Sequence, residues 1–240
     1  MTVALRVAYG LWCWGLFAVV AVGALVLALP APSLTLRRRI ARGAGRGFLQ
    51  VAFIRLKVRG LENLPDGPCV VVANHASYVD GVVMQAALPP RFAFVIKKEM
   101  GRVPVASLLL RRLGSEFVER FDRHRGGVDA RRVLRTAAAG QALAFFPEGT
   151  FDERVGLARF HSGAFVAAHR SGLPVVPAAI RGARHVLPPG SAWPRPGTIE
   201  VEILEPLSLP VPDAPDGARE LRARARAANL ARIDEPDLEA

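Results

Sequence analysis

Two textures of hydrophobicity divide the chain. Residues 7–29 run for 23 positions without a charge, whereas from residue 60 onward short apolar runs alternate with segments of helical spacing. Residues 68–73 (Pro-Cys-Val-Val-Val-Ala) are rich in β-branched side chains, as strands buried on both faces of a parallel sheet are. Residues 92–96, 117–118, 142–146, 175–180 and 198–204 read the same way. Between them the spacing predicts helices over 78–88, stopped by Pro89 and Pro90, over 105–113, over 128–139 before Gly140, and over 162–170 before Gly172. Residues 216–233 read as a last, arginine-rich helix ahead of a short acidic tail. This alternation predicts an α/β fold with a mixed, largely parallel sheet flanked by helices.

The uncharged run is of a different kind. As a helix, residues 7–29 would extend roughly 34 Å, enough to cross a hydrocarbon core of ~30 Å. Tyr9, Trp12 and Trp14 lie near one end, where amphipathic rings settle at a membrane interface. A cleaved signal peptide is the main rival, but its apolar region is usually about 7–15 residues with a more basic start than the single Arg6. Pro30 and Pro32 are followed by Arg37, Arg38 and Arg39, like a stop-transfer flank, and five arginines between positions 37 and 46 place the C-terminal side in the cytoplasm. Residues 1–59 are therefore expected to form a membrane anchor, with a transmembrane or membrane-embedded helix and a basic interfacial segment. Residues 60–233 are expected to form the folded domain and 234–240 an acidic tail. Within 47–58, Phe48, Phe53 and Ile54 are expected to face the headgroup region, with Arg55, Lys57 and Arg59 beside anionic lipid.

Composition narrows the partners. The chain has 240 residues, 51% of them hydrophobic, which suits one sizeable domain and excludes wholesale disorder. A net charge of +11 raises nucleic acid as a partner. Yet residues 1–61 hold nine basic side chains and no acidic one, while the remaining 179 hold 23 basic against 21 acidic. The excess belongs to the N-terminal quarter, so no nucleic-acid partner is expected. Cys13 and Cys69 both sit in apolar runs and build neither a disulfide framework nor a zinc site. There is no G-x-S-x-G elbow, no P-loop and no dinucleotide fingerprint.

The segment richest in chemistry is Asn74-His75-Ala76-Ser77-Tyr78-Val79-Asp80, directly after the first strand of the domain. A histidine and an aspartate five apart would be about 140° apart on an ideal helix and would not share a face. Ser77 and Asp80, however, make a capping-box pattern, with Ser77 at the N-cap and Asp80 in the first turn. His75 then falls in the preceding loop, free to fold back onto Asp80. A carboxylate on one imidazole nitrogen fixes the tautomer and makes the other nitrogen a stronger base. From this segment alone, a helix cap beside a solvent-facing histidine fits equally well.

The order of blocks decides further. Asn74-His75 with Asp80, then Gly114-x-x-Phe117-Val118-x-Arg120, then Phe146-Pro147-Glu148-Gly149-Thr150, then Val176-Pro177, resembles the four blocks of the glycerolipid acyltransferase family, whose type members are the 1-acylglycerol-3-phosphate acyltransferases. Lys97-Lys98-Glu99 before the second block and Gly163-Ala164-Phe165 after the third agree with it, and the resemblance runs from about residue 60 to about residue 208. It implies a membrane-bound O-acyltransferase that moves a fatty acyl group from acyl-CoA or acyl carrier protein to a lysophospholipid, foremost 1-acyl-sn-glycerol-3-phosphate, giving phosphatidate. Residues 60–233 would be the acyltransferase domain. The resemblance makes His75 the general base and Asp80 the residue that orients it, with no metal and no cofactor beyond the thioester co-substrate. It places Arg120 on the acceptor's phosphate, which a guanidinium grips with two parallel hydrogen bonds. Gly114 would permit close approach there, and Lys97 or Lys98 would add a second cation, although surface lysines at a strand end fit the same residues equally well. Asn74, Phe117, Glu148, Gly149 and Thr150 complete the expected substrate-binding set, with Glu148 holding Arg120 or a lysine.

The third block also departs from the pattern. After Thr150, where the family often carries arginine or serine, stand Phe151, Asp152 and Glu153, with Arg154 next. This bears on the acceptor, since a lyso-aminolipid would suit the added acids and Arg154 would have to replace the missing arginine. His124, His161, His169 and His185 form no metal-ligand set. A thioesterase, with His75 activating water, would leave Arg120 and the third block without work. A non-catalytic protein binding anionic lipid through residues 37–59 would leave 74–80 unexplained.

Overall fold

Four consecutive apolar residues with no polar face can be satisfied only between two layers, and the chain places Val70–Ala73 (β2) in the middle of a seven-stranded sheet. The computed structural model describes residues 2–119, 123–151, 153–209 and 214–239. The strands are β1 (Ile54–Arg59), β2, β3 (Ala93–Lys97), β4 (Glu116–Val118), β5 (Leu143–Phe145), β6 (Val175–Arg181) and β7 (Gly197–Ile203), in the spatial order β1-β7-β6-β2-β5-β3-β4. Every pairing is parallel except β6 with β7. The expected α/β fold, with a mixed and largely parallel sheet, is the one observed.

Alternation along β2 divides the core between the two faces. Val71 and Ala73 pack with Phe48, Leu49, Val83 and Met84 from α2 (Leu34–Val51) and α3 (Asp80–Ala87). Val70 and Val72 pack with Val133, Phe165 and Leu221 from α5 (Arg123–Ala138), α6 (Gly163–Arg170) and α8 (Gly217–Leu230). The remaining helices are α1 (Val3–Ala28), α4 (Pro104–Arg112) and the short α7 (Ala183–Val186).

The N-terminal quarter differs from expectation in three ways. First, α1 is long and apolar enough to cross a membrane, yet one side of it lies along the domain. The Tyr9 hydroxyl donates to the Ala52 carbonyl at 2.6 Å, the Trp14 indole donates to the Ala192 carbonyl at 2.7 Å, and Cys13 is buried. At Gly10 a Cβ would sit 2.4 Å from the Trp193 ring, so the two touch only because no side chain intervenes. The other side leaves Leu11, Trp12, Phe17, Val19 and Val26 exposed.

Second, three of the arginines after Pro32 are engaged by the domain. They lie on α2, capped at its start by the Ser33 hydroxyl. Arg42 and Arg46 donate to the Ala86 carbonyl at 3.3 and 2.9 Å, and Arg42 also to Ala87, at the C-terminal end of α3. Arg38, 4% exposed, donates to Leu113 and Arg91 carbonyls at 2.9 Å each. Helix C-termini offer unpaired carbonyls and a partial negative charge, which attract cations.

Third, residues 54–59 form β1, so a boundary at 59/60 cuts through the sheet. Ile54 and Phe48 are buried rather than facing headgroups, Lys57 pairs with Glu200 on β7 at 2.8 Å, and of the expected lipid-facing trio only Phe53 is exposed. The sequence Ile-Arg-Leu-Lys-Val-Arg alternates with period two, which is the signal of a half-buried edge strand.

Replacing Arg38 by methionine keeps the apolar stem and removes two charge-assisted bonds to buried carbonyls, a loss of about 2 kcal/mol. The expected outcome is a thermal midpoint in detergent lowered by roughly 5 °C, with binding to anionic vesicles unchanged. Weakened vesicle binding at an unchanged midpoint would restore the lipid-facing assignment of this arginine.

Candidate active site

In open α/β sheets, ligands collect beyond the carboxyl ends of the strands, and β2 delivers its block there. Asn74, the first residue past β2, is buried. Its amide donates to the Ile180 carbonyl at 2.9 Å and accepts from the Ile180 amide at 2.7 Å. It thus prolongs the β2–β6 pairing by one residue through its side chain. This corrects the expectation that Asn74 contacts substrate: its amide is spent on the sheet.

The chain then turns, and α3 begins at Asp80, two residues later than expected. One oxygen of Asp80, Oδ2, accepts from the Ala76 and Ser77 amides at 2.7 and 2.8 Å and lies 2.9 Å from His75 Nδ1. The reach back to Ser77 N–H is one half of the expected capping box. The other half is changed: the Ser77 hydroxyl accepts from the Val79 amide at 3.2 Å and donates to the Leu187 carbonyl at 2.7 Å. Asp80 is fully buried, and its other oxygen, Oδ1, has no hydrogen-bond partner among the described residues. A carboxylate in that position holds the proton of the imidazole on Nδ1 and leaves the lone pair on Nε2, at the opposite edge of the ring.

Two rings confine the imidazole. Phe146 stacks on it at 4.3 Å between centroids and 20° between planes, and Phe151 meets it edge-on at 4.5 Å. Tyr78 packs edge-on against Phe151 at 4.8 Å. Only 17% of the His75 side chain remains exposed. Phe151, the residue standing where the family pattern often has arginine, therefore belongs to the wall around the imidazole.

A second buried carboxylate fixes the backbone of the same histidine. After β5 the chain makes a turn over 146–149, closed by the Gly149 amide on the Phe146 carbonyl at 3.0 Å, with Gly149 at φ +82°. That turn directs Glu148 inward, 5% exposed. Its Oε1 accepts from the His75 amide at 2.6 Å and its Oε2 from the Ala158 amide at 2.9 Å. Burial pushes its pKa up to about 7, against the pull of those two N–H groups, and the charges of Asp80 and Glu235 push the same way as burial. Among the described residues, both Glu148 oxygens receive backbone amides; the expected partner Arg120 lies outside the described residues.

The remaining expected site residues are distributed differently. Arg120 lies outside the described residues. Gly114 is the turn that ends α4, at φ +69°, where a Cβ would lie 3.2 Å from the Arg38 guanidinium. There it terminates the helix and packs closely on α2. Phe117 lies on the edge strand β4 under the Arg111 guanidinium, at 4.8 Å. Lys97 is exposed at the end of β3, and Thr150 is exposed beside Phe151. Glu116 is held by Arg132 at 2.7 Å and by the Thr136 hydroxyl at 2.8 Å. Sequence reasoning missed Phe151 and Ala158 as parts of the site; for Ala158 no sequence signal exists, because only its backbone takes part.

Comparison with known proteins agrees with this architecture. Residues 55–181 match the family described as Acyltransferase. A 1-acyl-sn-glycerol-3-phosphate acyltransferase of Pseudomonas aeruginosa is 30% identical over 182 residues, 74% of this chain and 68% of that protein. A chloroplast 1-acyl-sn-glycerol-3-phosphate acyltransferase of Brassica napus is 35% identical over 142 residues, 58% of this chain. The match spans 41% of the length of that plant relative. The crystal structure of the 1-acyl-sn-glycerophosphate acyltransferase from Thermotoga maritima has the same fold, with a TM-score of 0.79 at 24% identity, covering 96% of this chain and 95% of that one.

Glu148 makes a pH-dependent contribution of definite sign. The folded protein keeps the Glu148 proton up to about 7, whereas the unfolded chain releases it near 4.5. Stability therefore falls as pH rises across that window, because the unfolded state binds fewer protons there. Glu148→Gln cannot ionise, so its thermal midpoint should gain on that of the wild type as pH rises from about 5 to about 8. Parallel midpoint curves across that range would show that burial does not shift Glu148.

Proposed function

The chain belongs to the acyltransferase family, and on that premise we propose that it transfers a fatty acyl group from a thioester, acyl-CoA or acyl carrier protein, to the free hydroxyl of a lysophospholipid. The acceptor is 1-acyl-sn-glycerol-3-phosphate and the product phosphatidate. The observation that carries this reading is the 2.9 Å contact between His75 Nδ1 and the buried Asp80 carboxylate, which leaves Nε2 as the available base.

An alcohol is a weak nucleophile until a base takes its proton during attack. Nε2 of His75 accepts the acceptor's hydroxyl proton as the oxygen bonds to the thioester carbonyl carbon. The imidazolium so formed faces Asp80, whose charge stabilises it. When the tetrahedral intermediate collapses, the carbon–sulfur bond breaks and the thiolate takes the proton back from Nε2. The oxygen ester and the free thiol leave with His75 neutral, so one base serves both halves of the reaction. The amides of His75, Ala76 and Ser77 are engaged by Glu148 and Asp80, so oxyanion stabilisation falls to other donors.

The membrane supplies and receives both lipids. The exposed apolar side of α1, with Trp12, Phe17 and Val26, is the surface we assign to the bilayer, with the catalytic domain on the cytoplasmic side. Burial of that side against the domain would have left no such face; its exposure supports membrane association.

Free-thiol release with purified protein tests the reaction, with acyl-CoA and acyl carrier protein thioesters as parallel donors. Release is expected only when 1-acyl-sn-glycerol-3-phosphate is present. Release independent of acceptor would identify a hydrolase, and none with either donor would leave lipid binding as the activity. His75→Ala should lower transfer by about 10²–10⁴-fold while cosedimentation with phospholipid vesicles is unchanged. Undiminished turnover in that variant would remove His75 from the role of base.

A further inference from the structure

A segment that follows the last helix of a domain is usually loose unless something ties it down, and here residues 235–238 are tied to a loop beside the active site. After α8 the chain passes through Glu235, Pro236, Asp237 and Leu238 alongside residues 156–158 of the third-block loop, which has no helix or strand of its own. The Gly156 amide donates to Glu235 Oε2 at 3.0 Å, and the Leu157 amide to the Pro236 carbonyl at 2.8 Å. The Leu238 amide donates back to the Leu157 carbonyl at 3.2 Å, making a parallel bridge between Leu157 and Asp237. Gly156, at φ +143°, allows this approach, since a Cβ would lie 2.6 Å from Leu238 and 2.7 Å from the Pro236 carbonyl.

Two arginines fasten the tail. Arg226 on α8 grips the Asp237 carboxylate with two nitrogens and also donates to the Leu157 and Ala158 carbonyls, at 3.0 and 3.3 Å. The ion pair with Arg226 holds the Asp237 carboxyl down at about 2. Arg184 on α7 grips Glu235 at 3.0 and 3.2 Å, with 16% and 19% of the two side chains exposed.

Buried backbone groups need partners, and the tail supplies several of them. Gly156 and Leu157 have their amides taken by the tail, and the Leu157 and Ala158 carbonyls are taken by Arg226 and Leu238. Beside them the Ala158 amide is aimed at Glu148 Oε2, while Glu148 Oε1 holds the His75 amide. On the other side of the site, α7, which carries Arg184, leads into Leu187, whose carbonyl holds Ser77. The acidic tail therefore reaches both supports of the 74–80 block, one through residues 156–158 and the other through Arg184.

We propose that residues 234–239 are a positioning strap for His75, acting through residues 156–158 and Glu148 on one side and through Arg184 and α7 on the other. The proposal rests on the reading of His75 as the base. Its signature is a change in turnover without a change in substrate affinity, because the strap acts through the backbone of residues 156–158 and sets where the imidazole sits.

Two variants test it: a chain ending at Ile233, and Asp237→Ala in the full-length protein, which decides the matter should the shortened chain fail to fold. The control is Lys57→Ala, which breaks an ion pair at the far edge of the sheet. Both strap variants should lower kcat by about 10- to 100-fold, the cost of a small misplacement of a catalytic group. The KM for acceptor and donor should stay within about two-fold. Amide hydrogen exchange at Ala158 and His75 should accelerate, and the control should show none of these changes. Unchanged kcat in Asp237→Ala with faster exchange at Leu157 would overturn the strap, as would a loss of kcat in equal measure in Lys57→Ala. Full turnover in His75→Ala would instead overturn the base itself, whereas an inactive His75→Ala beside fully active strap variants would overturn the strap alone.

Discussion

One carboxylate oxygen, Oδ2 of Asp80, gathers the His75 imidazole and two consecutive backbone amides, and the geometry of the site follows from that convergence. A buried carboxylate without partners is expensive enough that it would take up a proton instead. Here the partners come from a loop that must bend to supply them, so satisfying the charge and folding the loop are a single event. Asp80 sits in the first turn of α3, where the helix dipole adds to its stabilisation. Removing the aspartate would take away the tautomer lock, the turn and the start of the helix together.

Glu148 repeats the device at the end of the neighbouring strand β5, and the two acids act on successive parts of the same residue: Asp80 on the ring of His75, Glu148 on its amide. Their proximity has a cost, since the charge of Asp80 is one of the causes that raise the Glu148 pKa to about 7. The amides of His75 and Ala158 offset it. An imidazole held from both sides has little freedom to swing away, and the rings of Phe146 and Phe151 restrict it further. This is preorganisation by two buried carboxyl groups.

The N-terminal quarter shows why net charge is a poor guide to a partner. Arg38, Arg42 and Arg46 recur every four residues, which places them on one side of α2, and that side meets the carboxyl ends of α3 and α4. The same charges would read identically on a lipid-facing flank. Which surface they meet depends on how α2 packs, with Gly45 against Ala86 at the crossing, and packing is a property of the assembled fold.

Sequence alone determined the alternation of strands and helices, the largely parallel sheet and the apolar first helix, and it offered the pairing of His75 with Asp80 as one of two readings that the structure then decided. Each rests on local chemistry: β-branched runs, helix stops, a capping pattern, and a spacing of five residues that a helix start can close. It also held the period-two signal of β1, hidden because the same residues fit a basic interfacial segment. Tertiary structure decided what depends on distant partners. Asn74 serves β6, Gly114 serves α2, and Glu148 receives amides from residues 73 positions before it and ten after it. The acidic tail lies along residues 156–158 for the same kind of reason. Backbone amides carry no side-chain identity, so a site assembled from them becomes visible only when the strands that deliver them are brought side by side.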